Sequence, residues 1–205
     1  MRTNGVVQAL VLTLGLTLAT GCATTTEVPP QAVGQLLTLR NGLIDGKAQI
    51  QKTTGAARDL IEHPRQDVQA QVNAFRSQMS QLSKDALQAR EVAAGAQTRA
   101  DEFFANWDKQ LQTMSGDIAQ AGQQRRAESM ASFGRLRESL TGVRTQFTPF
   151  LSDLQEADRY LQNDPTAAGV KVAAPTIQKA LGREKDVLKS IDNLIGQIDA
   201  VRGGK

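Results

Sequence analysis

The chain has 205 residues, with 24 lysines and arginines against 21 aspartates and glutamates, one cysteine, one histidine and only 4% aromatic side chains. A single histidine and a single cysteine argue against zinc sites, which need three or four clustered nitrogen or sulfur ligands, and against catalysis by a histidine or cysteine pair. The formal net charge of +3 is spread without a block of like charge, so it describes solvated helix faces better than a nucleic-acid surface.

At the N-terminus, Arg2 precedes an apolar run from Val6 to Leu18. This is the layout of a secretory signal, and it is too short to span a bilayer. The only cysteine follows at once, in Leu18-Ala19-Thr20-Gly21-Cys22. That run resembles the lipobox of bacterial lipoproteins, with alanine where leucine or a β-branched residue prevails and the leucine one place earlier. The resemblance implies removal of residues 1–21 and a Cys22 thiol that carries a diacylglyceryl group as a thioether, with a further acyl chain on its amine. No other cofactor is expected. Each buried methylene contributes about 0.8 kcal/mol, so two or three chains hold a protein at a membrane where one is marginal. The alternative is a secreted protein cut after Ala19 or Gly21, which leaves Cys22 as a lone thiol in an oxidising compartment. Ala23, not an aspartate, follows the anchor; in enterobacteria-like sorting this resembles an outer-membrane signal, with the body facing the periplasm.

Residues 22–30 read as a lipidated start and a tether, because Ala23 to Pro30 has no apolar period and ends in paired prolines. At about 3.3 Å per residue it reaches about 26 Å. Residues 31–205 read as one elongated helical domain. Its first helix is predicted from Gln31 to Glu62, with Leu36, Leu43, Ile50 and Ala57 spaced by sevens, Leu39 and Leu60 beside them, and Pro64 as the stop. The second is predicted from Arg65 to Ala121. Its seam runs from Val68, Val72, Phe75, Met79 and Leu82 through Ala86, Ala89, Ala93, Ala96 and Ala100 to Phe103 and Trp107, then slips by one residue to Leu111, Met114 and Ile118. The alanine stretch either admits a close neighbour or leaves a groove.

Gly122 is the predicted turn, followed by a third helix from Gln123 to Gln162 with Leu136, Leu140, Val143, Phe147, Phe150, Leu154, Ala157 and Leu161 in its seam and Pro149 as a kink. Asp164 is placed to cap a short turn that Pro165 opens and Val172 closes. Pro175 then opens the last helix, where Ile177, Ala180, Val187, Ile191, Leu194, Ile198 and Val201 keep heptad spacing and Glu184 interrupts it. The fold class is all-α: an elongated antiparallel helical bundle, or coiled-coil hairpin, of about four helices. A narrow rod buries little per residue, which favours one shared seam or a homo-oligomer.

Chemistry-bearing residues are sparse. His63 stands before Pro64 and reads as a turn residue. Asp101 and Glu102, and Asp153, Glu156 and Asp158, are the paired acids; general acid and base work needs unequal desolvation in a pocket, and these fall mainly on polar faces. In Phe103-Phe104-Ala105-Asn106-Trp107, Phe103 and Trp107 are expected in the core, leaving Phe104 as the exposed candidate for a partner patch. No enzyme activity and no metal site are expected.

The run Asp101 to Trp107, the basic Gln124-Arg125-Arg126, Pro149-Phe150-Leu151 and the closing amphipathic helix resemble a family of bacterial lipoproteins, domain of unknown function 2959, over roughly residues 35 to 200. Tyr160 to Pro165 departs from that family's lysine-, histidine- and asparagine-rich stretch. The resemblance implies a helical lipoprotein and carries no activity. The expected role is structural or interactive: a body held at the membrane by lipid, engaging an envelope protein and no nucleic acid. The alternative is a chaperone-like or lipid-binding module using the alanine-lined stretch; a membrane-inserting toxin lacks the apolar hairpin it needs.

Overall fold

The computed structural model describes residues 30–203, with side chains from Gly34 to Val201. The leader, Cys22 and the tether lie outside the described residues. Four helices follow in order: α1 (Pro30–Glu62), α2 (Gln69–Leu111), α3 (Gly116–Asn163) and α4 (Ala167–Gly203). Each packs on its two neighbours in a closed ring, α1 on α2 and α4, and α3 on α2 and α4. The molecule is an antiparallel helical bundle, as the heptad seams and short links predict.

The shared core is built from the predicted seams. Leu36, Leu39, Leu43, Ile50, Ala57 and Leu60 of α1 meet Val72, Phe75, Met79 and Leu82 of α2, Phe150, Leu154, Ala157 and Leu161 of α3, and Ile177, Ala180, Val187, Ile191, Leu194 and Ile198 of α4. A leucine-sized side chain taken fully from water contributes about 1.5–3 kcal/mol, and this offsets the helix cost of the glycines at 42, 46 and 55 in α1. Polar seam positions are satisfied locally. Thr53 Oγ1 donates to the Gln49 carbonyl at 2.9 Å, and Gln49 Nε2 donates to Gln78 Oε1 at 2.9 Å. Glu184, the polar break in the α4 seam, accepts from Thr54 Oγ1 at 2.6 Å and pairs with Arg58. The break is therefore a tie between α1 and α4.

The sequence expectation is corrected at the α2–α3 link. α2 ends at Leu111, not Ala121, so its 43 residues extend about 65 Å. The turn is centred on Ser115 and Gly116, whose φ of +64° is the left-handed conformation that glycine adopts without a Cβ clash. Gly122, expected as the turn, lies inside α3. A Cβ there would come within 2.5 Å of Leu111 Cδ2, so the glycine makes room for the last side chain of α2. The α3 seam consequently begins earlier than Leu136: Ala119, Gly122, Arg126, Ser129 and Phe133 are all at least half-buried and keep the same three-four alternation down to Leu161. Pro149 lies within α3 without ending it.

At the α3–α4 link the cap is Thr166, not Asp164. Thr166 Oγ1 accepts from the Gly169 amide at 3.1 Å and donates to Asp164 Oδ1 at 2.6 Å. Asp164 closes α3, its amide donating to the Tyr160 carbonyl at 3.1 Å. The short turn expected through Val172 is the first part of α4, which continues through Pro175 as one helix. Pro30 opens α1 one residue early, in the first-turn position where a missing N–H costs nothing.

Candidate functional site

Ion pairs fix the axial register. Arg40 Nε donates to Asp199 Oδ1 at 2.8 Å between α1 and α4, and Arg137 Nη2 meets Asp101 Oδ1 at 3.0 Å between α2 and α3. Gln71 bonds Asp59, and Gln78 bonds Gln49, between α1 and α2. Following that antiparallel count to its end puts the start of α1 roughly level with Ala100 of α2. Among the described residues, α2 and α3 run on past the start of α1 as a hairpin whose tip lies roughly 17 Å beyond it, at about 1.5 Å per residue. The beginning of α1, the end of α4 and the hairpin all lie toward one end of the bundle, and the two links at residues 63–68 and 164–166 close the other.

The hairpin has its own small core. Ala100, Phe104 and Leu111 are buried outside the main cluster. Phe104 is 7% exposed; its ring lies edge-on to Phe133 at 5.4 Å and to Phe103 at 5.3 Å, with the Arg126 guanidinium 5.8 Å from its centroid. Arg126 is held there by Asp108, Nη2 to Oδ2 at 2.6 Å. The expectation of an exposed partner patch at Phe104 is thus overturned. Phe103 and Trp107, expected in the core, are half-buried. The cause is a change of partner: where α1 no longer flanks α2, the inward direction rotates toward α3 alone, and the residue one step on becomes the buried one.

The hairpin exposes Met130 on the flank of α3, at 49%, and two further apolar side chains at its tip. Met114 is 41% and Ile118 72% exposed, and between Gln110 and Gln124 the only charge is Asp117. Behind them the exposed cations Lys109 and Arg125 form a collar. Sequence reasoning placed Met114 and Ile118 in one continuous helix seam; the Ser115-Gly116 pair was the signal for the turn between them.

No family model, curated protein or solved structure matches this chain. Its chemistry is therefore judged from the side chains alone.

The acids expected as pairs do not converge. Asp153 is buried toward α4 and held by Lys179 Nζ at 2.9 Å and Arg183 Nε at 3.3 Å. Asp158 faces α2, where Arg76 Nε lies 3.3 Å away; burial pushes its carboxyl above the usual 3.8, against the opposing pull of Arg76. Glu156, Asp101 and Glu102 are exposed, and Asp101 pairs with Arg137. His63 is an exposed residue just past the end of α1, its amide donating to the Asp59 carbonyl at 3.3 Å. Among the described residues no three of His, Cys, Asp and Glu gather as a metal-binding group, and no helix is long and apolar enough to cross a membrane. The alanines of α2 at 86, 89, 93 and 96 are half-buried. They taper the bundle toward the hairpin.

Proposed function

We propose that this chain is a lipid-anchored helical lipoprotein of the cell envelope, acylated on Cys22, residing in the outer membrane with its body in the periplasm and serving a structural or protein-interaction role. The observation that carries the structural side is that the four apolar seams are spent on one another. The alanine stretch on which a chaperone-like or lipid-binding alternative depends is flanked by core contacts at Val92 and Ala93. Among the described residues, the large apolar side chains left exposed for an envelope partner away from the hairpin tip are spread over all four helices: Ile44 on α1, Leu87 on α2, Met130 and Tyr160 on α3, and Val172 on α4, with Leu87 and Val172 the most exposed. The lipobox-like run ending at Cys22 supports the anchor, as does α1 opening only eight residues later.

Two measurements on protein extracted from envelopes test this. The mass of the N-terminal peptide should carry a diacylglyceryl group on Cys22, and a Cys22→Ala variant should retain the leader or leave the membrane fraction. Photo-crosslinkers at Leu87 and Val172 should capture an envelope protein in wild type and not in Cys22→Ala. Capture of unfolded outer-membrane proteins alone would instead support the chaperone-like alternative.

A further inference from the structure

The direction of the hairpin relative to the start of α1 has a consequence for membrane contact. In an up-down-up-down bundle the tip between the second and third helices falls on the same side as both termini. Here α2 and α3 outrun α1, so the tip stands roughly 17 Å ahead of Pro30. The tether from Cys22 to Pro30 reaches at most about 26 Å. An anchor at Cys22 therefore cannot hold the start of α1 farther than that from the lipid, and a modest tilt or a tether short of full extension brings the tip to the surface.

The tip has the composition such a contact requires. Ile118 and Met114 are its two large exposed apolar side chains. Around them Gln110, Gln112, Thr113, Ser115, Gln120, Gln123 and Gln124 are neutral and polar, with Asp117 the one charge. Lys109 and Arg125 stand one to two turns behind, at a depth where long cationic side chains reach phosphates while their stems lie along apolar surface. Among the described residues, the links at the opposite end of the bundle carry Glu62, Arg65, Asp67 and Asp164 instead.

We propose that the tip of the α2–α3 hairpin is a lipid contact: Met114 and Ile118 seat in the headgroup region of the same phospholipid leaflet that holds Cys22, and Lys109 and Arg125 meet its phosphates. This rests on the anchored-lipoprotein reading. Two side chains are too few to hold a free protein at a membrane. For a tethered protein the second contact is intramolecular, at a high effective concentration, and a weak contact becomes populated. The molecule then touches the membrane at two points and its tilt is set.

The test uses the full acylated protein in vesicles of phosphatidylethanolamine and phosphatidylglycerol. With Cys22 acylated, Ile118→Cys supplies the only free thiol for a nitroxide, and Gln162→Cys, an exposed position at the opposite end, serves as the control. The label at 118 should gain access to oxygen and lose access to a water-soluble nickel chelate by several-fold relative to the label at 162. A label on Thr113→Cys should show the same shift relative to the label at 162, and adding Met114→Asp with Ile118→Asp in that background should abolish it while circular dichroism stays unchanged. Equal, fully aqueous accessibility at 118 and 162 with Cys22 acylated would overturn the lipid contact and leave the anchor standing. An unmodified Cys22 would overturn both.

Discussion

Gln71 and Asp59 lock the first corner of the bundle: the Gln71 carboxamide donates at 2.8 Å to both the main-chain carbonyl and a carboxylate oxygen of Asp59. The same nitrogen lies 3.0 Å from the His63 carbonyl, and Oε1 accepts from the Arg65 amide at 2.9 Å. At 3% exposure this one side chain ties the end of α1 to the link that follows it. Gln71→Leu should destabilise the protein by about 1–3 kcal/mol, since it removes the hydrogen bonds to Asp59, the His63 carbonyl and the Arg65 amide without a replacement. Gln71→Glu should cost more, because it turns the donor into a carboxylate facing Asp59. Urea unfolding of the non-acylated Cys22→Ala chain would measure both.

The Glu184 tie predicts coupling across 130 residues of sequence. Glu184→Ala should cost about 1.5–3 kcal/mol, the range for hydrogen bonds to a charged group. A cycle with Thr54→Val should show an interaction of about 1 kcal/mol. Strictly additive single and double variants would mean that the tie contributes nothing.

Asp158 gives the stability a pH signature. Its folded pKa lies above the ordinary value, burial outweighing Arg76, so the native state binds more protons than the unfolded chain. Stability from this group is present at low pH and declines as pH rises from 3.8 through the folded value. Asp158→Asn should therefore gain stability relative to wild type as pH rises above about 4, seen as converging or crossing Tm curves. A wild-type advantage that grows with pH would contradict this.

Two glycines of α4 should respond in opposite senses to alanine. A Cβ at Gly169 would lie 2.0 Å from the Asp164 carbonyl oxygen, which is main chain and cannot swing aside. Gly169→Ala should cost more than about 2 kcal/mol and loosen the Thr166 cap. Gly182 has nothing within 4 Å of that position, so Gly182→Ala should stabilise by about 0.5–1 kcal/mol.

The hairpin should behave as a separate cooperative unit. Phe104→Ala removes the centre of its small core, at about 3 kcal/mol. Amide exchange should accelerate around residues 100–136 and remain slow around Phe75 and Leu194. Global loss of protection would show that the hairpin is coupled to the main core.

The seams of α1 and α4 and the lower half of α2 were legible because each faces two neighbours along its length, so burial repeats with the heptad from Leu36 to Leu60 and from Ile177 to Ile198. What misled was the stretch where the number of neighbours changes. The register slips between Ala100 and Phe104, one step before the slip visible at Leu111, because alanines give no contrast by which to see an inward direction rotate. Met114 and Ile118 continue a three-four spacing by coincidence, and it hid the Ser115-Gly116 turn. Thr166 was overlooked as a cap because Asp164, two residues earlier, has the same capping chemistry; only the Gly169 amide distinguishes them. Polar residues inside seams, such as Gln49 and Glu184, look like defects until their partners on other helices are known.

The links that close the bundle opposite the hairpin suit the display of foreign sequence. Glu62 to Asp67 are all exposed, and Val68, which follows, is already core. A reporter spliced between Gln66 and Asp67 would stand a full bundle length from the start of α1, whereas one appended after α4 would crowd the end from which the hairpin projects. The choice of fusion site thus decides which end of the molecule an assay can observe undisturbed.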